Sequence, residues 1–359
     1  MSRRGKFRAA ALAALVVATI LGVPGSVSAA GAATAWVSGG TLYFQAGAGA
    51  TNWVAVFAEG TAIRLGDSND NPVTLDLGRA GGCVQRDAWT VACPSHRPVH
   101  AYLGDGDDTF NVYANVTTHV HGDGGNDILY GWFAVDVLYG GAGNDELYGL
   151  PGNDTLVGDR GNDLIRGDLG FDQILGGEDR DTLHGDGDAD TIDGGDGLDV
   201  LYGGVGNDSL AGGSGYGGSG GAIYGEAGDD TLAWDNVTED YWGGAGFDTI
   251  SYAQVDRKVI VMLDDLADDY ALPHPTAVAN PHNAHSDLER VVGSPYNDLI
   301  LGSDLPNTLL GGAGDDRIFG EGGNDIIDVQ GGANQWAYGW EGQDVCTGSG
   351  LTVADSCEG

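Results

Sequence analysis

Residues Gly140–Tyr148 read Gly-Gly-Ala-Gly-Asn-Asp-Glu-Leu-Tyr, and the fold can be inferred from the repetition of this nine-residue stretch. The same pattern repeats without a gap through ten units, from Gly122 to Ala211. Every unit has Gly at position one, Asp at position six and Leu or Ile at position eight. A period held at three positions over this length indicates one small structural element repeated along the chain.

Each unit divides into a turn and a short strand. Glycine at positions one, two and four permits the positive φ that a tight turn needs. The last three residues alternate, so that position eight faces inward while its neighbours face outward. One unit cannot fold alone, because a single buried Leu or Ile does not offset an ordering entropy of about 1–2 kcal/mol per residue. Stacked units would share these side chains in a narrow core, which predicts a solenoid.

Stacking would also align the carboxylates of position six in a column. Such a column repels itself unless a hard cation neutralises it, and carboxylate and backbone carbonyl oxygens form the ligand shell that Ca²⁺ accepts more readily than Mg²⁺. The composition agrees, since 53 acidic and 15 basic residues give a formal charge of −38. The absence of a basic run after the first eight residues argues against a nucleic-acid partner.

The pattern closely resembles the RTX, or haemolysin-type, calcium-binding repeat G-G-x-G-x-D-x-U-x. The resemblance implies an all-β fold, a parallel β-roll (RTX solenoid) with two units per coil. It also implies multiple Ca²⁺ ions as cofactors, held between turns by position-six carboxylates and glycine-loop carbonyls. Carried over by position, the metal ligands of the ten regular units are Asp127, Asp136, Asp145, Asp154, Asp163, Asp172, Asp181, Asp190, Asp199 and Asp208. Less regular units add Asp108, Asp230, Asp248, Asp298, Asn307, Asp316, Asp325 and Asp344.

Some units depart from the pattern, and weaker metal sites are expected there. Trp132–Val135 replaces the glycine turn beside Asp136. Gly212–Tyr224 carries an insertion and has no Asp at position six, while a later unit has Glu239 at that position. Asn307 offers a neutral oxygen but no charge.

The remaining segments are expected to form a signal peptide, a cap, an insertion and a C-terminal end. In the cap, strands are expected at Ala35–Val37, Thr41–Gln45, Trp53–Phe57, Val73–Leu77 and Trp89–Ala92. This N-terminal β-strand cap resembles the β segment that precedes such repeats in secreted actinobacterial calcium-binding proteins. The expected organisation is 1–29 signal peptide, 30–102 cap, 103–251 first array, 252–292 insertion, 293–347 second array and 348–359 C-terminal end.

Export and cysteine pairing follow from the two chain ends. A basic N-terminal region, an apolar run from Ala9 to Val23 and the small residues of the flank Val27–Ala29 predict a secretory signal cleaved near Ala29 or Ala30. No later segment is long and apolar enough to span a membrane. Four cysteines allow three connectivities, and their positions favour the local disulfides Cys83–Cys93 and Cys346–Cys357, each of which would staple one end.

The sequence favours a secreted, non-enzymatic calcium-binding protein that folds on export and serves a structural, envelope or matrix role. No H-E-x-x-H motif is present, and the serines of Gly212–Gly221 lie in a glycine-rich insertion rather than a nucleophile elbow. The alternative is a calcium-dependent adhesin that binds a cell-surface glycan or a protein partner. Its outer face would carry an aromatic ladder formed by Tyr130, Tyr139, Tyr148 and Tyr202.

The insertion leaves one further alternative open. It carries His274, His282 and His285, and His with Asp can bind zinc or another transition metal. The competing interpretation is a polar excursion of the chain that returns to the roll through residues 288–292.

Overall fold

The structure is a computed structural model that describes residues 33–38, 40–46, 51–59, 62–67, 73–75, 83–87, 90–94, 97–213, 219–234, 238–264, 269–271 and 280–357. The predicted signal peptide lies outside these residues. The described chain is all-β, and it divides into two compact units, one up to Leu169 and one from Gly170. Within the described ranges, no helix is long and apolar enough to cross a lipid bilayer.

In the part of the first unit that the structure describes there are fifteen strands. They are β1 Ala33–Ser38, β2 Thr41–Gln45, β3 Trp53–Glu59, β4 Ala62–Asp67, β5 Val73–Leu75, β6 Val84–Asp87, β7 Thr90–Pro94, β8 Val99–Asp105, β9 Thr109–Tyr113, β10 Thr118–Gly124, β11 Ile128–Tyr130, β12 Val137–Ala142, β13 Glu146–Tyr148, β14 Thr155–Arg160 and β15 Leu164–Leu169.

The repeats of this unit form a parallel β-roll in which alternate repeats pair. Leu129 of β11 stands beside Leu147 of β13, which stands beside Ile165 of β15. On the opposite sheet, Leu138 of β12 pairs with Leu156 of β14. Paired residues are 18 positions apart, so one coil contains two repeats, as the resemblance implied. The position-eight side chains are fully buried between the two sheets and form the core.

The cap contributes a coil of the roll that the nine-residue pattern does not reveal. Strand β2 pairs in parallel with β8, and β3 pairs in parallel with β9, so both sheets begin before the first repeat. Leu42, Phe44 and Val54 are buried in line with the later core residues. All five expected strands are found within the described residues, where β5 covers Val73–Leu75.

Two further strands in the cap, β4 and β6, form antiparallel pairs and were not expected. The predicted disulfide Cys83–Cys93 closes the hairpin of β6 and β7.

The described segments of the second unit form eighteen strands. They are β16 Gln173–Glu178, β17 Thr182–Gly187, β18 Thr191–Asp196, β19 Val200–Val205, β20 Ser209–Ala211, β21 Ser219–Ala227, β22 Thr231–Ala233, β23 Thr238–Ala245, β24 Thr249–Ser251, β25 Val259–Met262, β26 Asp269–Ala271, β27 Asn280–Ala284, β28 Arg290–Val292, β29 Leu299–Leu301, β30 Thr308–Leu310, β31 Arg317–Phe319, β32 Ile326–Tyr338 and β33 Val345–Asp355.

This unit is also a parallel β-roll, and it absorbs its irregularities in the turns. The repeat with the insertion gives a coil of 22 residues, between Asp208 and Asp230, without loss of strand pairing. The segment expected to be an insertion joins the roll at both ends, because β25 pairs in parallel with β29, and β28 with β30. Between them, β26 forms antiparallel pairs with β25 and β27. The predicted disulfide Cys346–Cys357 joins β33 to the residues that follow it.

Candidate metal centres

The position-six aspartates form buried columns along the turns. Each carboxylate binds the preceding coil through one oxygen: Asp145 Oδ1 accepts the Asp127 backbone N–H at 2.6 Å, and Asp163 Oδ1 accepts that of Asp145 at 2.7 Å. In the second unit, Asp230 Oδ1 accepts the N–H of Asp208 at 2.8 Å. The carboxylates therefore tie neighbouring coils together and are fixed in place by the backbone.

In eleven of the described carboxylates, named below, the second oxygen lies in a buried space where it accepts no hydrogen bond. An ionised carboxylate offers about four acceptor sites, and a buried acceptor without a partner destabilises the fold by about 1–3 kcal/mol or more. Among the described residues, Oδ2 is buried without a hydrogen-bond partner in Asp127, Asp136, Asp145, Asp190, Asp199, Asp208, Asp230, Asp248, Asp316, Asp325 and Asp344.

The pKa values of these carboxyl groups indicate that their negative charges are not balanced by positive charge. Burial, which removes the charged form from water, raises the pKa of Asp127 to about 7 and that of Asp190 to about 8. The backbone hydrogen bonds to Oδ1 oppose this rise, whereas neighbouring aspartates such as Asp145 and Asp208 add to it. Metal-free columns are therefore electrostatically unfavourable at neutral pH.

The glycine turns bring backbone carbonyl oxygens close to the next coil. The backbone at position two is left-handed whatever the residue, from Asp123 at φ 72° to Gly141 at φ 114° and Trp132 at φ 86°. At position four of the Gly140–Asp145 turn there is no room for a side chain, because a Cβ on Gly143 would lie 1.7 Å from the carbonyl oxygen of Gly125. Each turn thus combines a buried carboxylate oxygen with backbone carbonyls, an all-oxygen set that suits Ca²⁺.

The profile of the RTX calcium-binding nonapeptide repeat (4 copies) matches this chain at several places. The matched residues are 119–147, 133–165, 148–183, 166–201, 184–219, 222–233 and 301–335. The chain carries RTX calcium-binding repeats. No curated protein gives a significant match to the chain.

Seventeen of the eighteen RTX positions predicted to ligate metal are aspartates, and all eighteen residues are buried. The Trp132–Val135 turn keeps the RTX backbone, since Trp132 is left-handed and the Asp136 carboxylate is buried as in the regular turns. Position four also tolerates replacement, because Asp179 and Asp188 are left-handed where other units have Gly.

Two RTX turns of the second unit, the serine turns Gly293–Asp298 and Gly302–Asn307, have different partners. Asp298 Oδ2 accepts the Ser294 N–H at 2.6 Å, and Asp298 Oδ1 accepts the Ser294 hydroxyl at 2.8 Å. Asn307 Oδ1 likewise accepts the N–H and the hydroxyl of Ser303, at 2.8 and 3.3 Å. These two predicted ligands already have donors from their own turn.

Three residues that sequence reasoning missed also occupy position six. Glu289 Oε2 accepts the Asp248 N–H at 2.8 Å, and Gln335 Oε1 accepts the Asp316 N–H at 2.8 Å. In the cap, buried Asn52 donates its backbone N–H to Asp108 Oδ1. Glu289 and Gln335 each precede a buried core residue by two positions, and this spacing could have identified them. The side chain of Glu239 lies outside the described residues.

The insertion shows no transition-metal centre in the part that the structure describes. No group of three or more His, Cys, Asp or Glu side chains that could hold a metal converges among the described residues. His285 is buried and stacks on Trp242, with ring centroids 3.3 Å apart. His274 and the side chain of His282 lie outside the described residues. The RTX turns also lack such a group of three side chains, because backbone carbonyls replace most side-chain ligands there.

Proposed function

We propose that this chain is a secreted calcium-binding protein whose RTX repeats bind multiple Ca²⁺ ions and fold on export, with a structural role in the cell envelope or extracellular matrix. The observation that carries the proposal is the row of buried Oδ2 atoms without hydrogen-bond partners. A column of buried acceptors with no donor requires positive charge at that place. The predicted aspartates of the glycine turns would hold the ions together with backbone carbonyls.

In this proposal the carboxylate has two separate tasks. Oδ1 holds the backbone of the preceding coil, and Oδ2 faces the cation, which neutralises the repulsion between stacked carboxylates. With ~1 mM Ca²⁺ and a Kd of ~10⁻⁴ M, each occupied site adds roughly 1.4 kcal/mol of stability. Several such sites would therefore decide whether the roll is folded.

The predicted signal sequence and the dependence on calcium support an extracellular location. Free calcium in the cytosol is far below the Kd of extracellular calcium modules, so the chain would remain unfolded until export. The proposal assigns no catalysis, since the repeated carboxylates are committed to holding coils and metal.

The adhesin alternative through the aromatic ladder has less support. The four tyrosines lie in separate stacks rather than in one ladder. Tyr130 stacks on Tyr148 with centroids 4.8 Å apart and interplanar angle 10°, Tyr139 stacks on His121 in the opposite sheet at 4.7 Å, and Tyr202 stacks on Tyr224 at 5.1 Å. This stacking covers the ring faces with other rings. A sugar ring packs against the face of an aromatic side chain, so the ladder would present mainly ring edges to a glycan.

Calcium titration of the chelated full chain, followed by far-UV circular dichroism, tests the proposal. We expect a cooperative gain of β signal in the sub-millimolar to millimolar range, with Mg²⁺ a poor substitute. A chelated chain that already shows its full β spectrum, and whose melting temperature calcium does not change, would contradict the proposal.

A further inference from the structure

Serine at position two distinguishes the two serine turns from the glycine turns of the roll. Ser294 directs both its N–H and its hydroxyl to the Asp298 carboxylate, and Ser303 does the same to the Asn307 amide oxygen. These donors occupy the place where a glycine-turn carboxylate has none. Asp298 and Asn307 also contact other parts of the chain: Asp298 Oδ1 accepts the Val259 N–H at 2.7 Å, and Asn307 Nδ2 donates to the Leu288 carbonyl oxygen at 3.5 Å.

The serine hydroxyl also completes the hydrogen bonding of its own turn. Ser294 Oγ accepts the Tyr296 N–H at 3.1 Å, and Ser303 Oγ accepts the Leu305 N–H at 3.2 Å. This is the local side-chain-to-backbone bonding that favours serine in turns. Among the described residues, the left-handed backbone found at position two of the glycine turns is absent at Ser294 and Ser303.

The two serine turns also differ in the charge at position six. Asn307 carries no charge, so a metal in that turn would lack the anionic ligand that position six supplies elsewhere. At Asp298, burial raises the pKa of the carboxyl group to about 6, and the hydrogen bonds from Val259 and Ser294 and the positive charge of Lys258 oppose this rise. Bound calcium would have to displace the serine donors from both turns.

We propose that serine at position two excludes calcium from the serine turns and supplies the donors that the metal supplies elsewhere. This inference rests on the proposed function, and it removes Asp298 and Asn307 from the set of calcium ligands. The two turns close without metal, so in the folded roll their coils are held by hydrogen bonds rather than by bound calcium. The residue at position two thus selects which turns of the roll bind Ca²⁺.

Counting the calcium bound to isosteric variants of the full chain, by equilibrium dialysis in millimolar Ca²⁺, tests the inference. Asp298→Asn should bind as many ions as the wild type, and Asn307→Asp should gain none, because the serine donors already occupy the oxygen. The matched variant in a glycine turn, Asp145→Asn, should bind about one ion fewer.

The outcomes separate this inference from the proposed function. Loss of an ion in a folded Asp298→Asn variant, or gain of an ion in Asn307→Asp, would overturn the exclusion by serine while leaving calcium binding intact. The Asn307→Asp variant decides the matter if Asp298→Asn does not fold. A wild-type chain that binds no calcium would overturn the proposed function itself.

Discussion

The glycine turns and the serine turns place the same buried position six against different partners. In a glycine turn such as Gly140–Asp145, one carboxylate oxygen holds the preceding coil and the other accepts no hydrogen bond. In the serine turn Gly293–Asp298, the second oxygen accepts the Ser294 N–H. The second oxygen of position six therefore needs either a positive charge or a hydrogen-bond donor. In our proposal, the residue at position two decides which of the two is present.

The first prediction is that protons can neutralise the carboxylates of the glycine turns when the metal is removed. Burial raises the folded-state pKa of Asp127, Asp230 and Asp316 to about 7, above the usual value for Asp. Proton binding therefore favours the metal-free fold below the unfolded pKa, near pH 4, and this gain is lost as the pH rises through about 7. We expect the chelated chain to regain β signal in circular dichroism as the pH falls from about 8 to about 5.

Calcium-bound protein provides the control, because protons compete with Ca²⁺ for the same oxygens. Its apparent calcium affinity should fall over the same pH range in which the metal-free chain gains structure. A chelated chain that loses β signal on acidification would show that the buried carboxylates are not the groups that oppose folding.

The second prediction concerns the close stacking of the glycine turns. A Cβ on Gly143 would lie 1.7 Å from the Gly125 carbonyl oxygen, at a φ of 146°. We expect Gly143→Ala to lower the free energy of unfolding by about 2–4 kcal/mol, measured by urea denaturation in saturating Ca²⁺. The matched control is Gly124→Ala, whose Cβ would approach nothing closer than 3.9 Å. It should change stability by less than about 0.5 kcal/mol.

Equal effects of Gly143→Ala and Gly124→Ala on the free energy of unfolding would contradict the prediction that close stacking at position four limits the choice of residue. The serine turns have Tyr296 and Leu305 at position four, so they already accommodate side chains there. Only the glycine turns should be sensitive to an added methyl group at this position.

The smallest expected effect comes from the serine hydroxyl. Ser294→Ala removes one donor to Asp298 and the acceptor of the Tyr296 N–H, while the Ser294 backbone N–H bond remains. We expect a loss of about 1 kcal/mol in urea denaturation. The loss should be the same at low and high Ca²⁺ concentrations that keep the chain folded. An exposed serine, Ser209→Ala, serves as the control, and a calcium-dependent effect of Ser294→Ala would argue that this turn binds metal.

Much of the fold could be predicted from the sequence. The nine-residue period placed Leu129 and Leu147 in the core, and the resemblance to the RTX repeat implied the parallel pairing at 18 residues, because two units close one coil. The period also predicted that the position-six carboxylates align in a column, because stacked repeats place equivalent residues beside one another. The disulfides Cys83–Cys93 and Cys346–Cys357 followed from closeness in the sequence.

The hydrogen-bond partners of each position-six side chain could be identified only from the tertiary structure. The hydrogen bonds of Asp298 come from Ser294 in its own turn and from Val259, which is 39 residues away. Glu289 reaches the Asp248 N–H because coil stacking brings them together across 41 residues. A sequence pattern records residue types at fixed spacings. The partner of a buried oxygen depends on backbone direction and on the neighbouring coil, and both exist only when the coils are stacked.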